Sequence, residues 1–194
     1  MGSASVSIGL LLVNAIAGFY LFIVLLRFLL QAARADFYNP ISQFTVKATN
    51  PFLVPIRKVV PGFWGLDLAA LVLAVAVHML ASGLSLLIAG YALNPAAMIV
   101  WAVVGIGGLF LKLYFWGILI MVIASWVAPG NYNPALSLLQ QILDPIMKPI
   151  RKMLPDMGGF DLSPIIALLS IQVLEVIVYA MARETGAPGF VIGL

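Results

Sequence analysis

The chain has 194 residues, of which 63% are hydrophobic and 9% are charged, and its mean hydropathy is +1.14. A soluble domain carries roughly a quarter charged residues, so these few charges could not cover a water-facing surface. The lack of cysteine excludes disulfides and cysteine-based metal sites, and the formal charge of +3 rests on basic residues that lie mainly in particular loops. We therefore expect a membrane protein with no cofactor, no metal and no nucleic-acid partner.

Four apolar stretches are long enough to cross a bilayer, which takes roughly 20 helical residues. In chain order they cover residues 8–30, 68–90, 102–126 and 164–182. Helix is the expected structure, because an open strand in lipid would leave its backbone groups without hydrogen bonds. Two polar, proline-rich connections, residues 31–67 and 128–161, separate the first span from the second and the third from the fourth.

The first half of the chain recurs in the second half without a gap. Asn39-Pro40 returns 94 positions later as Asn133-Pro134. The same offset relates Pro51, Pro55, Arg57, Lys58, Pro61 and Asp67 to Pro145, Pro149, Arg151, Lys152, Pro155 and Asp161. We predict two tandem helix–loop–helix repeats, residues 1–92 and 93–194. Each repeat has two spans, so both cross the membrane in the same direction and the repeats are parallel.

Basic residues favour one orientation of these spans. They lie mainly in the two proline-rich connections, and the N-terminus and the short second connection have none. Arg27, at the end of the first span, is expected to snorkel toward the first connection. By the positive-inside rule both repeat loops face the cytoplasm and both termini face the other side, with Arg183 as the exception.

Each proline-rich loop is expected to form short interfacial helices. Asn39 and Asn133 suit the N-cap of a helix that has proline at its first position. A second short helix is expected to begin at Pro51 and at Pro145, with its cations among anionic lipid headgroups. Asp67 and Asp161 suit the N-terminal ends of the second and fourth spans, where a carboxylate meets unpaired backbone N–H groups. The predicted fold is an all-α membrane protein of four spans with two cytoplasmic, proline-rich interfacial loops.

The basic pairs of these loops, Arg57-Lys58 and Arg151-Lys152, have two interpretations. They could bind lipid headgroups or a partner protein at a site that the repeat duplicates. Alternatively, they only set the topology, since the positive-inside rule already predicts basic residues there.

Lys112 and Glu175 are expected at similar depths near the middle of the bilayer. Each costs roughly 2.5–3.5 kcal/mol at a helix centre if it is left alone, so a buried ion pair between them is a natural hypothesis. A functional alternative is a proton or cation coupling site with Glu175 as the titrating or coordinating group. The structural alternatives are an inter-helix clamp, or a Lys112 that snorkels because its span begins later.

His78 in the second span and Gln172 in the fourth occupy equivalent positions of the two repeats. A proton relay through His78 and Glu175 is one hypothesis, and a hydrogen-bonded pair around the pseudo-twofold axis is the other. Asn14 in the first span needs only a hydrogen-bond partner. The small residues Gly105, Gly107 and Gly108 would let neighbouring segments approach the third span closely.

The repeated motif resembles that of the YggT family. It consists of an Asn-Pro start, then Asn/Asp-Pro-x-x-x-Pro-Ile-Arg-Lys-x-x-Pro, and a Gly-x-Asp-Leu opening to the next span. Both copies fit, and together they cover nearly the whole chain. The second copy has the fuller form with Gly158, Gly159 and Phe160, whereas the first has Trp64 for a glycine and Ala70 for a proline.

This resemblance implies a protein of the bacterial inner membrane that has no catalytic residues. Bacterial members are associated with osmotic tolerance and potassium uptake, and plastid relatives with cytochrome b6 maturation and nucleoid distribution. The first functional hypothesis is a non-enzymatic role in ion and osmotic homeostasis, in which the protein assists cation uptake. The alternative is a scaffold or assembly factor for other membrane proteins, in division or cytochrome assembly. Membrane-protein partners and a homo-oligomer are compatible with both hypotheses.

Overall fold

The computed structural model describes residues 2–63, 65–127, 133–155 and 161–193. Within these residues the chain forms six helices, α1 Gly2–Ala32, α2 Pro40–Arg57, α3 Leu68–Ala89, α4 Pro95–Val127, α5 Pro134–Met153 and α6 Ser163–Glu184. The long apolar helices α1, α3, α4 and α6 can each cross a membrane, which confirms the four predicted spans. Trp64, Gly158, Gly159 and Phe160 of the repeat motif lie outside the described residues.

Each half of the chain is a pair of antiparallel spans with a shorter helix at one end. α1 packs against α3, α4 packs against α6, and the contact of α3 with α4 joins the halves. The helix α2 contacts both α1 and α3, and α5 contacts α4, α6 and also α1. We call the end of the bundle that carries α2 and α5 the loop side. The opposite end is the tail side, since the tail, residues 185–193, leaves α6 there.

Small side chains allow α1 and α3 to pack closely. Ala69, Ala70 and Ala74 of α3 are fully buried against Leu21 and Leu25 of α1. Between helices in lipid there is little hydrophobic driving force, so close van der Waals packing of this kind supplies much of the association. Among the four spans α3 has the largest share of buried residues and α6 the smallest, which leaves most of α6 facing outward.

The expectation of separate short helices that begin at Pro51 and Pro145 is wrong. Pro51 and Pro55 lie inside the continuous helix α2, and Pro145 and Pro149 lie inside α5. Each proline removes one backbone hydrogen bond of the helix, to the carbonyl four residues earlier. The prolines of each helix are four residues apart and exposed, so they lie on one accessible face of the helix. Water or headgroups can donate hydrogen bonds to the carbonyls on that face that lose their helical partner. The helix therefore continues through them.

Both Asn-Pro pairs begin helices, as predicted. Asn39 Oδ1 accepts the Ile41 N–H at 3.0 Å, and Asn133 Oδ1 accepts the Ala135 N–H at 2.8 Å. Asn39 also donates from Nδ2 to the Pro134 carbonyl at 2.8 Å. This bond joins the starts of α2 and α5, so the two loop helices meet at their repeated motif.

Candidate functional site

The loop side of the first half contains a buried ionic cluster around Asp67. The Asp67 side chain is 3% exposed, and Arg57 holds both of its oxygens, with Nη2 2.5 Å from Oδ2 and Nε 3.3 Å from Oδ1. Arg27 Nε lies 3.8 Å from Oδ2. Two guanidinium groups therefore share one carboxylate where the end of α2 meets the start of α3.

Arg27 reaches Thr49 and Asp67 of the first connection, as expected, but its side chain is buried there and does not contact solvent. Its residue is 7% exposed, and Nη1 donates to Thr49 Oγ1 at 3.0 Å. The buried face of α2 is polar, since it includes Ser42, Thr45 and Thr49. The Thr45 and Thr49 hydroxyls donate to backbone carbonyls of their own helix. Their oxygens remain acceptors, and the Thr49 oxygen supplies the partner that a buried guanidinium requires.

The equivalent ion pair of the second half is exposed. Arg151 Nε donates to Asp161 Oδ2 at 2.9 Å, and the two side chains are 50% and 44% exposed. Asp161 Oδ1 accepts the Ser163 N–H at 2.9 Å and the Ser163 hydroxyl at 2.5 Å. Partial burial raises the pKa of the Asp161 carboxyl, but these bonds from Ser163 and Arg151 outweigh it, so the pKa lies below its ordinary value.

These contacts give the basic pairs a role that neither interpretation contained. Arg57 and Arg151 each join their loop helix to the acidic residue ten positions later, whereas Lys58 and Lys152 are exposed. Asp161 acts at the start of α6 as predicted, but Asp67 makes no capping bond to α3 and binds arginine instead. The sequence contained an indication of these ion pairs, since the spacing from arginine to aspartate is identical in both repeats.

The predicted ion pair between Lys112 and Glu175 is not formed. The ion pairs among the described residues do not include either side chain. Lys112 Nζ lies 5.8 Å from the centroid of the Tyr179 ring, within the range of a cation–π contact. Glu175 is half-buried one turn before Tyr179 on α6, and Gln172 is exposed on the same helix.

His78 is fully buried and binds neither Gln172 nor Glu175, so both hypotheses for its partner are wrong. Its Nε2 lies 2.9 Å from the Ile192 carbonyl oxygen, and its Nδ1 lies 3.3 Å from Ser82 Oγ. A carbonyl only accepts, so Nε2 carries the hydrogen and Nδ1 accepts from Ser82. The neutral ring is thus satisfied on both sides.

The partner of His78 belongs to the tail, which folds back into the bundle. Asn14 Nδ2 donates to the Phe190 carbonyl at 2.9 Å, and Trp101 Nε1 donates to the Thr185 carbonyl at 3.2 Å. Non-helical backbone at membrane depth must be bonded by protein, and these side chains supply those bonds. The sequence analysis missed this segment, although Asn14 and His78 were unexplained polar residues in spans.

Two glycines of α4 make room for the tail. A Cβ at Gly105 would collide with His78 Nε2 and the Ile192 carbonyl, and one at Gly108 would collide with the Gly193 carbonyl. Gly107 faces open space. The close approach expected at Gly105 and Gly108 is therefore present. The tail approaches both glycines, and His78 of the neighbouring helix α3 also approaches Gly105.

The described residues line a cavity at the loop side in each half. The first, of about 470 Å³, is lined by Arg27, Arg34 and Arg57. The second, of about 650 Å³, has mostly apolar walls with Arg151 and Asp161 among its lining residues. In the part of the chain that the structure describes, no group of three or more His, Asp or Glu residues could hold a metal ion.

Comparison with known proteins gives one family and several relatives. A family model described as CCB3/YggT matches residues 6–88 and again residues 100–182. An uncharacterised protein of Pseudomonas aeruginosa is 46% identical over 180 residues, which cover 91% of both chains. The uncharacterised protein YggT of Escherichia coli K12 is 36% identical over 181 residues, 90% of this chain and 91% of that protein. The uncharacterised protein ycf19 of Porphyra purpurea is 35% identical over 69 residues, 35% of this chain and 73% of ycf19. No solved structure matches the chain.

Proposed function

Because the chain belongs to the CCB3/YggT family and has four membrane-spanning helices, we propose that it is a non-enzymatic accessory protein of the membrane. In this proposal the outer face of α6 binds another membrane protein, and the complex supports ion and osmotic homeostasis by assisting potassium uptake. The bacterial inner membrane is the proposed location, with the loop side in the cytoplasm, where Lys58 and Lys152 meet anionic headgroups.

The polar groups on α6 carry this proposal. Gln172 is exposed and Glu175 half-buried, and neither side chain has a hydrogen bond or ion pair to another described residue. Their neighbours Val173 and Val176 are 62% and 68% exposed. A carboxylate at a helix centre costs roughly 2.5–3.5 kcal/mol when it faces lipid. A partner that covers this face and supplies a polar group would remove that cost.

The interior of the bundle supports an outward-acting role. Asn14, His78 and Trp101 already bond carbonyls of the tail. The charged side chains in the middle of the spans are Lys112 and Glu175, and Gln172 lies one turn before Glu175 on α6. For this reason we favour assistance to a separate uptake protein over conduction through a single bundle.

Cysteine cross-linking in cell membranes tests the contact. The chain has no cysteine, so Val176→Cys introduces one thiol on the outer face of α6 and Ile16→Cys introduces a matched one on α1, both at exposed positions. We expect Val176→Cys to give one discrete cross-linked species that disappears when Glu175→Gln is added. Ile16→Cys should give none. Equal cross-linking from both positions would contradict a specific α6 contact.

Rubidium flux into liposomes separates assistance from autonomous transport. We expect the purified wild-type protein alone to show no flux, with or without an imposed potential, whereas Glu175→Gln should reduce potassium uptake in cells. If the purified protein conducts rubidium and Glu175→Gln abolishes it, a homo-oligomeric pathway lined by Glu175 replaces the accessory role.

A scaffold or assembly factor, in division or cytochrome assembly, is the second candidate. The exposed Lys58 and Lys152 favour it, because the ion pairs of their arginine neighbours leave these lysines available at the loop side. Lys58→Gln combined with Lys152→Gln should then abolish function while Glu175→Gln does not. The lysines make a sharper test than Arg57 and Arg151, whose loss would also disturb folding.

A further inference from the structure

The cavity of about 470 Å³ at the loop side of the first half is strongly basic. Its polar lining consists of Arg27, Gln31, Arg34, Ser42, Thr45 and Arg57. Asp67 is not among the lining residues, and the nearby Asp36 uses its carboxylate to accept the Tyr38 N–H at 2.9 Å. The cavity therefore presents three guanidinium groups and no carboxylate.

The charges around the cavity do not balance. Arg27 and Arg57 share the single carboxylate of Asp67, and Arg34 takes part in no ion pair among the described residues. Arg57 uses Nε and Nη2 for Asp67, which leaves Nη1 for another acceptor. A buried guanidinium such as Arg27 is costly unless its charge is compensated, so an anion in this cavity would complete the cluster.

The backbone at Arg34 gives an independent indication. Arg34 has φ +51°, and the Ala35 N–H bonds the Leu30 carbonyl at 2.9 Å, which together form the left-handed cap that ends α1. Glycine or asparagine is the usual residue at such a cap, because other side chains are strained there. Here the strained position places a guanidinium among the lining residues of the cavity. Strain of this kind points to a functional requirement.

The second half shows that the repeat does not require such a cavity. Met121, Ser125 and Leu139 occupy the positions of Arg27, Gln31 and Thr45. The cavity on that side has mostly apolar walls, and its one arginine is paired with Asp161. The basic lining is therefore a property of the first repeat and is more than the positive charge that topology demands.

We propose that this cavity binds the phosphate group of a phosphate ester, with Arg27, Arg34 and Arg57 as its ligands. Guanidinium groups bind phosphate oxygens through paired N–H donors, and three of them here surround one space. The volume exceeds that of a phosphate, and Leu30, Phe37 and Val46 supply an apolar wall for the organic part. Because the cavity lies where the α1 span ends, a lipid headgroup and a soluble phosphate ester are both suitable sources.

Calorimetric titration of the full-length protein in a neutral maltoside detergent tests the proposal and identifies the source. The probes are inorganic phosphate, sn-glycerol 3-phosphate and short-chain dihexanoyl phosphatidylglycerol. Binding of all three probes, or of both glycerol 3-phosphate and the phosphatidylglycerol, supports a site that accepts soluble phosphate esters. Binding of the phosphatidylglycerol alone supports a headgroup site. If none of the probes binds the wild-type protein, the proposal fails.

Two variants locate the binding without disturbing the fold. Arg34→Gly removes one ligand and relieves the strained cap, so we expect it to unfold no more readily than the wild type. Gln31→Glu adds a carboxylate of the same shape where Gln31 Oε1 lies 3.4 Å from Arg57 Nη2. We expect each variant to raise the dissociation constant of the bound probe by about tenfold or more.

The matched controls make the same charge changes elsewhere. Arg183→Gln removes one exposed positive charge at the tail side, and Ser125→Glu adds a carboxylate at the position equivalent to Gln31. We expect both controls to bind the probe as the wild type does. If Arg34→Gly and Gln31→Glu bind as tightly as these controls, the arginine cavity is not the binding site.

Discussion

At positions 94 residues apart, the first repeat has Arg27, Thr49 and His78 where the second has Met121, Leu143 and Gln172. The three polar residues of the first repeat are buried and hydrogen-bonded inside the bundle. In the second repeat Met121 is half-buried, Leu143 is buried and Gln172 is exposed. The two halves share their helices and prolines, but the polar residues of the first repeat lie inside the bundle, whereas Gln172 of the second lies on its outer surface.

This difference shows how a duplicated unit can divide its tasks. The shared parts, the Asn-Pro caps and the Arg-to-Asp pairs, hold each loop helix to its spans in both copies. The first copy adds a polar interior that includes the arginine cavity and the contact with the tail. The second copy keeps an apolar interior, and its polar residues Gln172 and Glu175 lie on α6, exposed and half-buried respectively.

The largest expected difference concerns the two aspartates of the motif. Asp67→Asn removes the one carboxylate shared by Arg27 and Arg57, and we expect a loss of about 3–5 kcal/mol in the free energy of unfolding because a buried charge is left unpaired. Asp161→Asn removes an exposed partner and should cost no more than about 1 kcal/mol. Unfolding in maltoside micelles with increasing denaturant measures both. Equal losses would mean that the two clusters do not differ as described.

Replacing the first polar interior by the second tests whether the cluster is a cooperative unit. Thr49→Leu alone leaves Arg27 Nη1 without its acceptor and should destabilise the protein by about 2 kcal/mol. The combination of Arg27→Met, Thr45→Leu and Thr49→Leu copies the second repeat, and we expect it to unfold within about 1 kcal/mol of the wild type. If the triple variant instead loses as much free energy of unfolding as the three single variants together, the polar interior is not a cooperative unit.

His78 and Gln172 form a matched pair for the same comparison. His78→Leu leaves the Ile192 carbonyl and the Ser82 hydroxyl without their partner, so we expect a loss of about 1–3 kcal/mol and faster amide hydrogen exchange in residues 190–193. Gln172→Leu replaces an exposed polar side chain by an apolar one and should leave both quantities unchanged in lipid nanodiscs. Faster exchange of the tail in Gln172→Leu would contradict this assignment.

The sequence was sufficient for the spans, the repeat and the Asn-Pro caps because these depend on local composition and on spacing along the chain. It was not sufficient for the partners of Arg27, His78 and Asn14, which depend on where distant segments meet. The expected helix starts at Pro51 and Pro145 failed for a different reason. A proline is compatible with the interior of a helix when the unbonded carbonyl is accessible, and that accessibility is a tertiary property.

The candidate sites show the same limit. Lys112, Glu175 and Gln172 were correctly singled out as polar residues in spans, but the sequence could not show that Lys112 lies near Tyr179 and not next to Glu175. Arg34 contributed only to the predicted orientation, as a basic residue of the first connection, because the sequence shows neither its left-handed backbone nor its place in the cavity. Arg57 and Asp67 could have been paired from the repeat itself, since the same spacing recurs at Arg151 and Asp161.

The smallest expected effect is the acid dependence contributed by the exposed pair. The pKa of Asp161 is lowered in the folded protein, whereas an unfolded aspartate has a pKa of about 3.9. The folded state therefore gains stability from Asp161 above about pH 4 and loses it as the pH falls through the lowered pKa. Unfolding measured between about pH 2.5 and pH 7 should show that the stability of Asp161→Asn declines less at acid pH than that of the wild type. Above about pH 5 the plots of stability against pH should be parallel.

Arg151→Gln removes one of the groups that lower the pKa of Asp161, so the decline in stability at acid pH should begin at a higher pH than in the wild type. A difference in slope between Asp161→Asn and the wild type near neutral pH would instead mean that Asp161 titrates far above its assigned range and that the Ser163 and Arg151 bonds do not control it.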